Sequence, residues 1–308
     1  MSKILAVGTV AFDEIITPFG ETGKILGGSA SYISMAARKI TDYVAVVSVI
    51  GNDFPDEYLQ KFTDRQIDIS GIEKLENEKT FYWKGRYHND LNKRDTLATE
   101  VNALAHFNPV VPENYKDAEF LMLGNLHPAI QKAVIDQMKK RPKLIALDTM
   151  NFWMDTAWND LMEVLKDIDI LIINDEEARQ LSKDYSLVRA AKIIQNMGPK
   201  YLIIKKGEHG ALLFHGKDIF FAPALPLEDV FDPTGAGDTF AGGFIGRLAK
   251  EENTGFEAMK NAVICGSNLA SFTVEKFGTE RLESLTKEEI INRLQDFINL
   301  TQFDIELI

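Results

Sequence analysis

The 308-residue sequence predicts an α/β fold, with a central mostly parallel sheet flanked by helices and a small β-sheet lid standing off it. Two observations predict it. Short runs rich in Val and Ile alternate with helical patterns along nearly the whole chain, the signature of βαβ units. Two stretches, 14–24 and 78–99, interrupt that alternation with extended, polar sequence. The length suits one large domain over 1–308, with the two interrupting stretches as its appendage.

The strand runs fall at 4–8, 44–50, 120–123, 144–148, 168–173 and 201–205, with 211–215 and 219–222 reading as a hairpin. Helical patterns cover 29–40, 56–65, 129–140, 239–250, 255–271 and 287–300, and another helix opens at 176. Ligands on such sheets gather at the carboxyl ends of the strands. The second interrupting stretch carries Thr80-Phe-Tyr-Trp-Lys-Gly-Arg-Tyr87 and a polar tip over 88–94. Paired with 14–24, it would form a sheet able to cover a site and exclude water, or to meet a second copy as a homodimer.

Composition narrows the partners. Hydrophobic residues make up 45% and charged residues 26%, with 46 acidic against 34 basic side chains for a net charge of −12. No Lys/Arg stripe offers a nucleic-acid surface. A bound nucleotide must therefore be held locally, by backbone N–H groups and a metal ion. The single cysteine, Cys265, excludes an internal disulfide and a multi-cysteine zinc site, and reads as a small buried apolar residue. The apolar run at 4–8 is too short for a signal peptide, and no stretch approaches the ~20 apolar residues of a membrane span. A cytoplasmic protein is expected.

The segment Asp232-Pro-Thr-Gly-Ala-Gly-Asp238 carries the chemistry. Gly235, Ala236 and Gly237 let the backbone turn tightly and approach a ligand. A glycine-rich turn opening a helix aims N–H groups and the positive end of the helix dipole at one point, which suits the charge developing on a transferring phosphoryl group. Asp238, in the same turn, can orient and deprotonate an attacking hydroxyl. The bland alternative is an acidic residue in an ordinary first helical turn. Six specified positions at roughly 6% usage each match by chance on the order of 10⁻⁸ per start, which favours chemistry.

This motif, with Gly27-Gly-Ser-Ala-Ser31 near the N-terminus, resembles the ribokinase (pfkB) family of carbohydrate and nucleoside kinases, and the resemblance extends over nearly the whole chain. It implies ATP and Mg²⁺, with Asp238 as catalytic base and Gly235, Ala236 and Gly237 as an anion hole. It places Gly27, Gly28 and Asp13 on the acceptor hydroxyls; Asp13 is expected at the end of the first strand, and a carboxylate can accept two hydroxyls of a diol. Asn174 and Glu177 match a motif whose Glu acts through water on Mg²⁺ and phosphate, although the same pair is an ordinary capping box. Gly207 falls near the nucleotide. Lys205 stands where many members have Thr, and reads as a charge aimed at phosphates or as a surface lysine. Asn268 falls on the helix resembling the adenine wall. Members often bind a monovalent cation such as K⁺, and Asp232 and Thr234 stand where its ligands begin.

The chain also departs from the pattern. Tyr32 replaces an Asn common in sugar kinases, and its ring reads as a base-stacking surface, a pocket wall or a core aromatic. After Asp148, many members have Asp-x-Asn-x-Arg, whereas this chain reads Asp148-Thr-Met-Asn-Phe-Trp153. Loss of the Arg argues against an acceptor that already carries a phosphate. Asn125 and His127, after another strand, read as acceptor contacts or a loop cap. The expected activity is therefore transfer of the γ-phosphoryl group to a primary hydroxyl of a small unphosphorylated sugar. An adenosine-like nucleoside is the alternative, suggested by Phe12, Tyr32 and Trp153. A non-catalytic sensor would be expected to lose Asp238 or the glycine turn, and this chain keeps both.

Overall fold

The computed structural model describes residues 2–302. In chain order the strands are β1 Ile4–Val7, β2 Ala11–Thr17, β3 Gly20–Glu21, β4 Ile25–Gly27, β5 Val44–Gly51, β6 Asp68–Leu75, β7 Tyr82–Tyr87, β8 Arg94–Glu100, β9 Phe120–Leu123, β10 Leu144–Asp148, β11 Ile170–Asn174, β12 Tyr201–Lys205, β13 Ala211–His215 and β14 Asp218–Ala222. The helices are α1 Ser29–Arg38, α2 Asp56–Thr63, α3 Pro128–Asp136, α4 Asn151–Thr156, α5 Trp158–Leu165, α6 Asp175–Ser182, α7 Leu187–Gln195, α8 Ala236–Glu251, α9 Phe256–Thr273, α10 Glu280–Ser284 and α11 Lys287–Thr301.

Among the described residues the main sheet runs β14-β13-β12-β11-β10-β9-β1-β5-β6. It is parallel from β12 to β6, with β13 and β14 added antiparallel at one edge. Side chains alternate across its plane as strand geometry requires. Ile4 and Ala6 of β1 join the core beneath α1, α8 and α9, whereas Leu5 and Val7 join the core on the other face, which includes Leu161 of α5, Leu181 of α6 and Ile194 of α7. None of the described helices is long and apolar enough to cross a membrane.

The second sheet runs β3-β2-β7-β8, with β4 also paired to β2. It uses both interrupting stretches but begins earlier than expected, because β2 starts at Ala11. Asp13 therefore lies within β2 of this sheet, paired with Ile25 and Trp83, and not at the end of the first strand. Edge strand β6 was not expected. Its apolar residues at 69, 72 and 75 lack strand alternation, and its pairing with β5 carries an irregularity near Ala45. Helices α5 and α7 were also unassigned by sequence.

Helix α8 was expected from 239, yet it begins at Ala236, so Gly237 and Asp238 lie in its first turn. Glycine weakens a helix by up to about 1 kcal/mol per residue relative to alanine. Here the glycines permit close packing. A Cβ on Gly242 would lie 2.3 Å from the Ile33 carbonyl of α1, and one on Gly243 would lie 3.1 Å from the Cα of Gly266 in α9. This wedge of helices fixes the N-terminus of α8 against that of α1.

Candidate active site

The carboxyl ends of β10, β11 and β12 bring together Asp148, Glu177 and Lys205, and the N-terminus of α8 adds Asp238. Lys205 Nζ lies 3.5 Å from Asp148 Oδ2. A Cβ on Gly237 would sit 2.9 Å from the same ammonium, so Lys205 lies directly against the glycine turn. This settles its placement: Lys205 is turned into the site and is no surface lysine. Burial alone would push its ammonium toward neutrality, but Asp148, Glu177 and Asp238 outweigh that and hold it above the ordinary lysine value. Burial, then repulsion from Asp148, pushes Asp238 up to about 7 and Glu177 likewise to about 7. Asp238 Oδ1 is closed off from solvent with no hydrogen-bond partner.

Gly235 caps α8 with φ +75°, in the left-handed region that disfavours a side chain. The Ala236 N–H donates to the Pro233 carbonyl at 3.2 Å, so it is partly spent in holding the turn. The first N–H groups of a helix otherwise lack intrahelical partners, as those of Gly235 and Gly237 do here, and such groups can meet an anion. Asp232 fastens this turn from below. Its carboxylate accepts the Thr234 N–H at 2.8 Å and the Gly278 N–H at 3.0 Å.

Glu177 forms the capping box its sequence suggested. The Asn174 side chain accepts the Glu177 N–H at 2.8 Å while Glu177 Oε2 accepts the Asn174 N–H at 2.7 Å. The capping box holds the carboxylate within the field of Asp148 and Lys205. Gly207, at φ +55°, opens a short turn at the end of β12, and His209 there is exposed.

At the other end, β2 presents Asp13. A Cβ on Gly27 would fall 2.0 Å from Asp13 Oδ2, so only glycine fits beside that carboxylate, and Gly28 crosses close to the Thr9 carbonyl. Burial, then repulsion from Asp232, pushes Asp13 up to about 7.

Three expected contacts are placed differently. Tyr32 is 1% exposed, its ring wedged under Gly235, so it is a core aromatic with no face open for stacking. Its hydroxyl is buried and unpartnered, and burial, then the fields of Asp13, Asp232 and Asp238, keep it protonated. Asn125 has both amide ends occupied: Oδ1 accepts the Trp153 indole N–H at 2.8 Å and Nδ2 lies 3.1 Å from Met150 Sδ. Asn268 is fully buried and donates to the Ile290 carbonyl, joining α9 to the start of α11 and leaving any adenine wall to its neighbours.

Sequence reading missed the reach of the second sheet. The Thr234 hydroxyl donates to Tyr87 Oη at 3.0 Å. A Cβ on Gly207 would meet Asn92 Oδ1 at 2.5 Å, so the β7–β8 tip rests on that turn. Arg94, opposite Tyr87 in the hairpin, extends its positive field to Asp238 and Glu177. The polar tip at 88–94 carried no signal beyond its charge.

An Mg·ATP substrate fits this donor set. Three carboxylates face one ammonium, and the sealed Asp238 Oδ1 lacks a partner. Among the described residues no three acidic, His or Cys side chains converge to cage a metal ion. Mg²⁺ commonly keeps its waters and is shared between a carboxylate or two and the substrate's phosphates.

A family model described as "pfkB family carbohydrate kinase" matches residues 2–285. A cytidine kinase of Thermococcus kodakarensis is 31% identical over 248 residues, covering 80% of this chain and 88% of that protein. A nucleoside kinase of Methanocaldococcus jannaschii, an archaeal member of the ribokinase family, superposes with a TM-score of 0.78 at 22% identity, covering 96% of this chain and 99% of that one. An E. coli protein provisionally described as ribokinase II, in complex with ATP and Mg²⁺, gives a TM-score of 0.78 at 21% identity, covering 97% and 100%.

Proposed function

The chain belongs to the pfkB family of carbohydrate kinases, sugar and nucleoside phosphotransferases that use ATP with Mg²⁺, and from that premise we propose that it moves the γ-phosphoryl group of ATP to a primary hydroxyl of a small unphosphorylated sugar unit. The observation that carries this reading is Asp238: a carboxylate in the first turn of α8, beside free N–H groups, with one oxygen sealed from solvent and unpartnered.

Asp13 and the Gly27–Gly28 backbone hold the acceptor hydroxyls at the β2 end. Asp238 takes the proton from the attacking hydroxyl, and the N–H groups of Gly235 and Gly237 stabilise the charge on the phosphoryl oxygens. Lys205 sits behind that turn as a fixed positive charge, and Glu177 is the carboxylate that would hold a bound Mg²⁺ through its waters. When bound, Mg²⁺ neutralises charge on the β- and γ-phosphate oxygens. The second sheet serves as the lid, and the tip of its hairpin, with Asn92 and Arg94, covers the phosphate side. K⁺ would act beside the turn that carries Asp232 and Thr234.

A coupled ADP-release screen of free sugars and nucleosides with Mg·ATP tests the reading. At least one unphosphorylated acceptor should stimulate release well above the acceptor-free rate. Silence across the panel overturns it.

The raised carboxylate also sets a pH dependence. Asp238 must be ionised to accept a proton, and it is pushed up to about 7. On the acid side, kcat/KM should therefore fall about tenfold per pH unit below roughly 7. A profile flat from pH 5 to 8 would contradict the base assignment.

A further inference from the structure

The carboxyl ends of β9 and β10 carry an aromatic group that the phosphoryl-transfer reading does not use. Phe152 and Trp153 open the short helix α4, and their rings meet edge to face at 4.9 Å. His127 meets the indole at 5.1 Å, also edge to face. Phe152 is 52% exposed although it adjoins a well-packed core, and the next residue but one, Met154, is only 5% exposed.

The polar atoms of this group are spent internally. The indole N–H is held by Asn125 at 2.8 Å, the Asn125 amide nitrogen lies against Met150, and His127 Nδ1 accepts the Ala129 N–H at 3.2 Å as the cap of α3. What faces outward is chiefly the Phe152 ring beside the half-buried indole, with little hydrogen-bonding capacity left. A sugar presents hydroxyls on all sides and would find few partners here. A flat heteroaromatic ring finds a stacking surface. The group also lies beside the hydroxyl-binding end. The end of β9 abuts the start of α1, where a Cβ on Gly124 would stand 2.9 Å from Ser29 Oγ and 3.1 Å from the Val7 carbonyl.

We infer that the sugar unit phosphorylated by this protein carries a nucleobase, that Trp153 with Phe152 is the surface on which the base lies, and that Asn125 is the positioning residue that fixes the indole. This deepens the proposed function and rests on it: Asp13 and Gly28 hold the ribose hydroxyls while the aromatic group holds the base.

The test compares D-ribose, cytidine, uridine, adenosine and guanosine as acceptors in wild type, Trp153→Ala, Trp153→Phe and Asn125→Ala. At least one nucleoside should exceed D-ribose in kcat/KM. Trp153→Ala should lose roughly 5- to 150-fold on that nucleoside, the range for removing one base-stacking aromatic, a larger loss than any it causes on D-ribose. Trp153→Phe should restore most of the loss. Asn125→Ala should raise the nucleoside KM and leave kcat nearly unchanged, a split that a general folding defect does not produce. Nucleoside turnover that Trp153→Ala leaves intact, or D-ribose preferred over every nucleoside, overturns this inference and leaves phosphoryl transfer standing. No turnover of any acceptor overturns both.

Discussion

Asp238→Asn is expected to lower kcat by about 10²- to 10⁴-fold, the range that a positioned general base contributes, while KM for ATP stays within a few-fold. The asymmetry follows from the geometry. Asn preserves the shape of the first turn of α8 and the N–H groups of Gly235 and Gly237, so the surface offered to the triphosphate is retained. It removes only the group that accepts a proton. The substitution should not unfold the protein. Asp238 sits in a crowd of like charge, with Asp148 and Asp13 both raising its proton affinity, so a neutral amide relieves repulsion and the melting temperature should hold or rise. Steady-state kinetics with saturating acceptor, alongside a thermal melt, separate the two effects. A kcat near wild type would remove Asp238 from the mechanism, and a collapse in stability would mean that its role is structural.

The parts of this site that were legible in the sequence are those whose function demands contiguous residues. A tight turn opening a helix must be written as neighbours, so 232–238 announced both its backbone and its carboxylate. The capping box of Asn174 and Glu177 is equally local. What was not legible depends on which way a side chain turns and on contacts across the fold. Tyr32 stood at a position that invited a ligand contact, but the space above it is filled by Gly235, a residue 203 positions away. Asn125 looked like a hydrogen-bonding residue for a substrate until Trp153 and Met150 claimed both ends of its amide. Lys205 could equally have faced water, and only the approach of Gly237 and Asp148 turns it inward. In the fold, β6 was missed because an edge strand with an irregular partner need not alternate, and Asp13 was misplaced by one strand because β1 and β2 are separated by only three residues.

The inward turn of Lys205 leads to the second large expected effect. Lys205→Met should cost at least about 10²-fold in kcat/KM, comparable to the loss of one fixed electrostatic group in a preorganised site, and its stability cost should depend on pH. In wild type the ammonium sits among Asp148, Glu177 and Asp238 and is held protonated by them. Methionine fills similar volume but leaves the three carboxylates without that cation, so their proton affinities rise further. Carboxylates whose folded-state affinity exceeds the unfolded value, near 4, favour folding at low pH, and that contribution is lost as pH climbs through the folded-state value. In wild type, Glu177 and Asp238, both about 7, place this window between roughly pH 4 and 7. In the variant the window extends upward. At pH 5, where Glu177 and Asp238 are largely protonated, the variant should melt close to wild type. At pH 8, where they must ionise without their counter-charge, it should be less stable by about 1–3 kcal/mol. The acid limb of kcat/KM should move upward in step, because Asp238 then needs a higher pH to act as a base. Melts and rate profiles across pH 5–9 read both shifts from one variant. A stability deficit independent of pH would mean that Lys205 contributes by packing alone, and an unmoved acid limb would separate it electrostatically from Asp238.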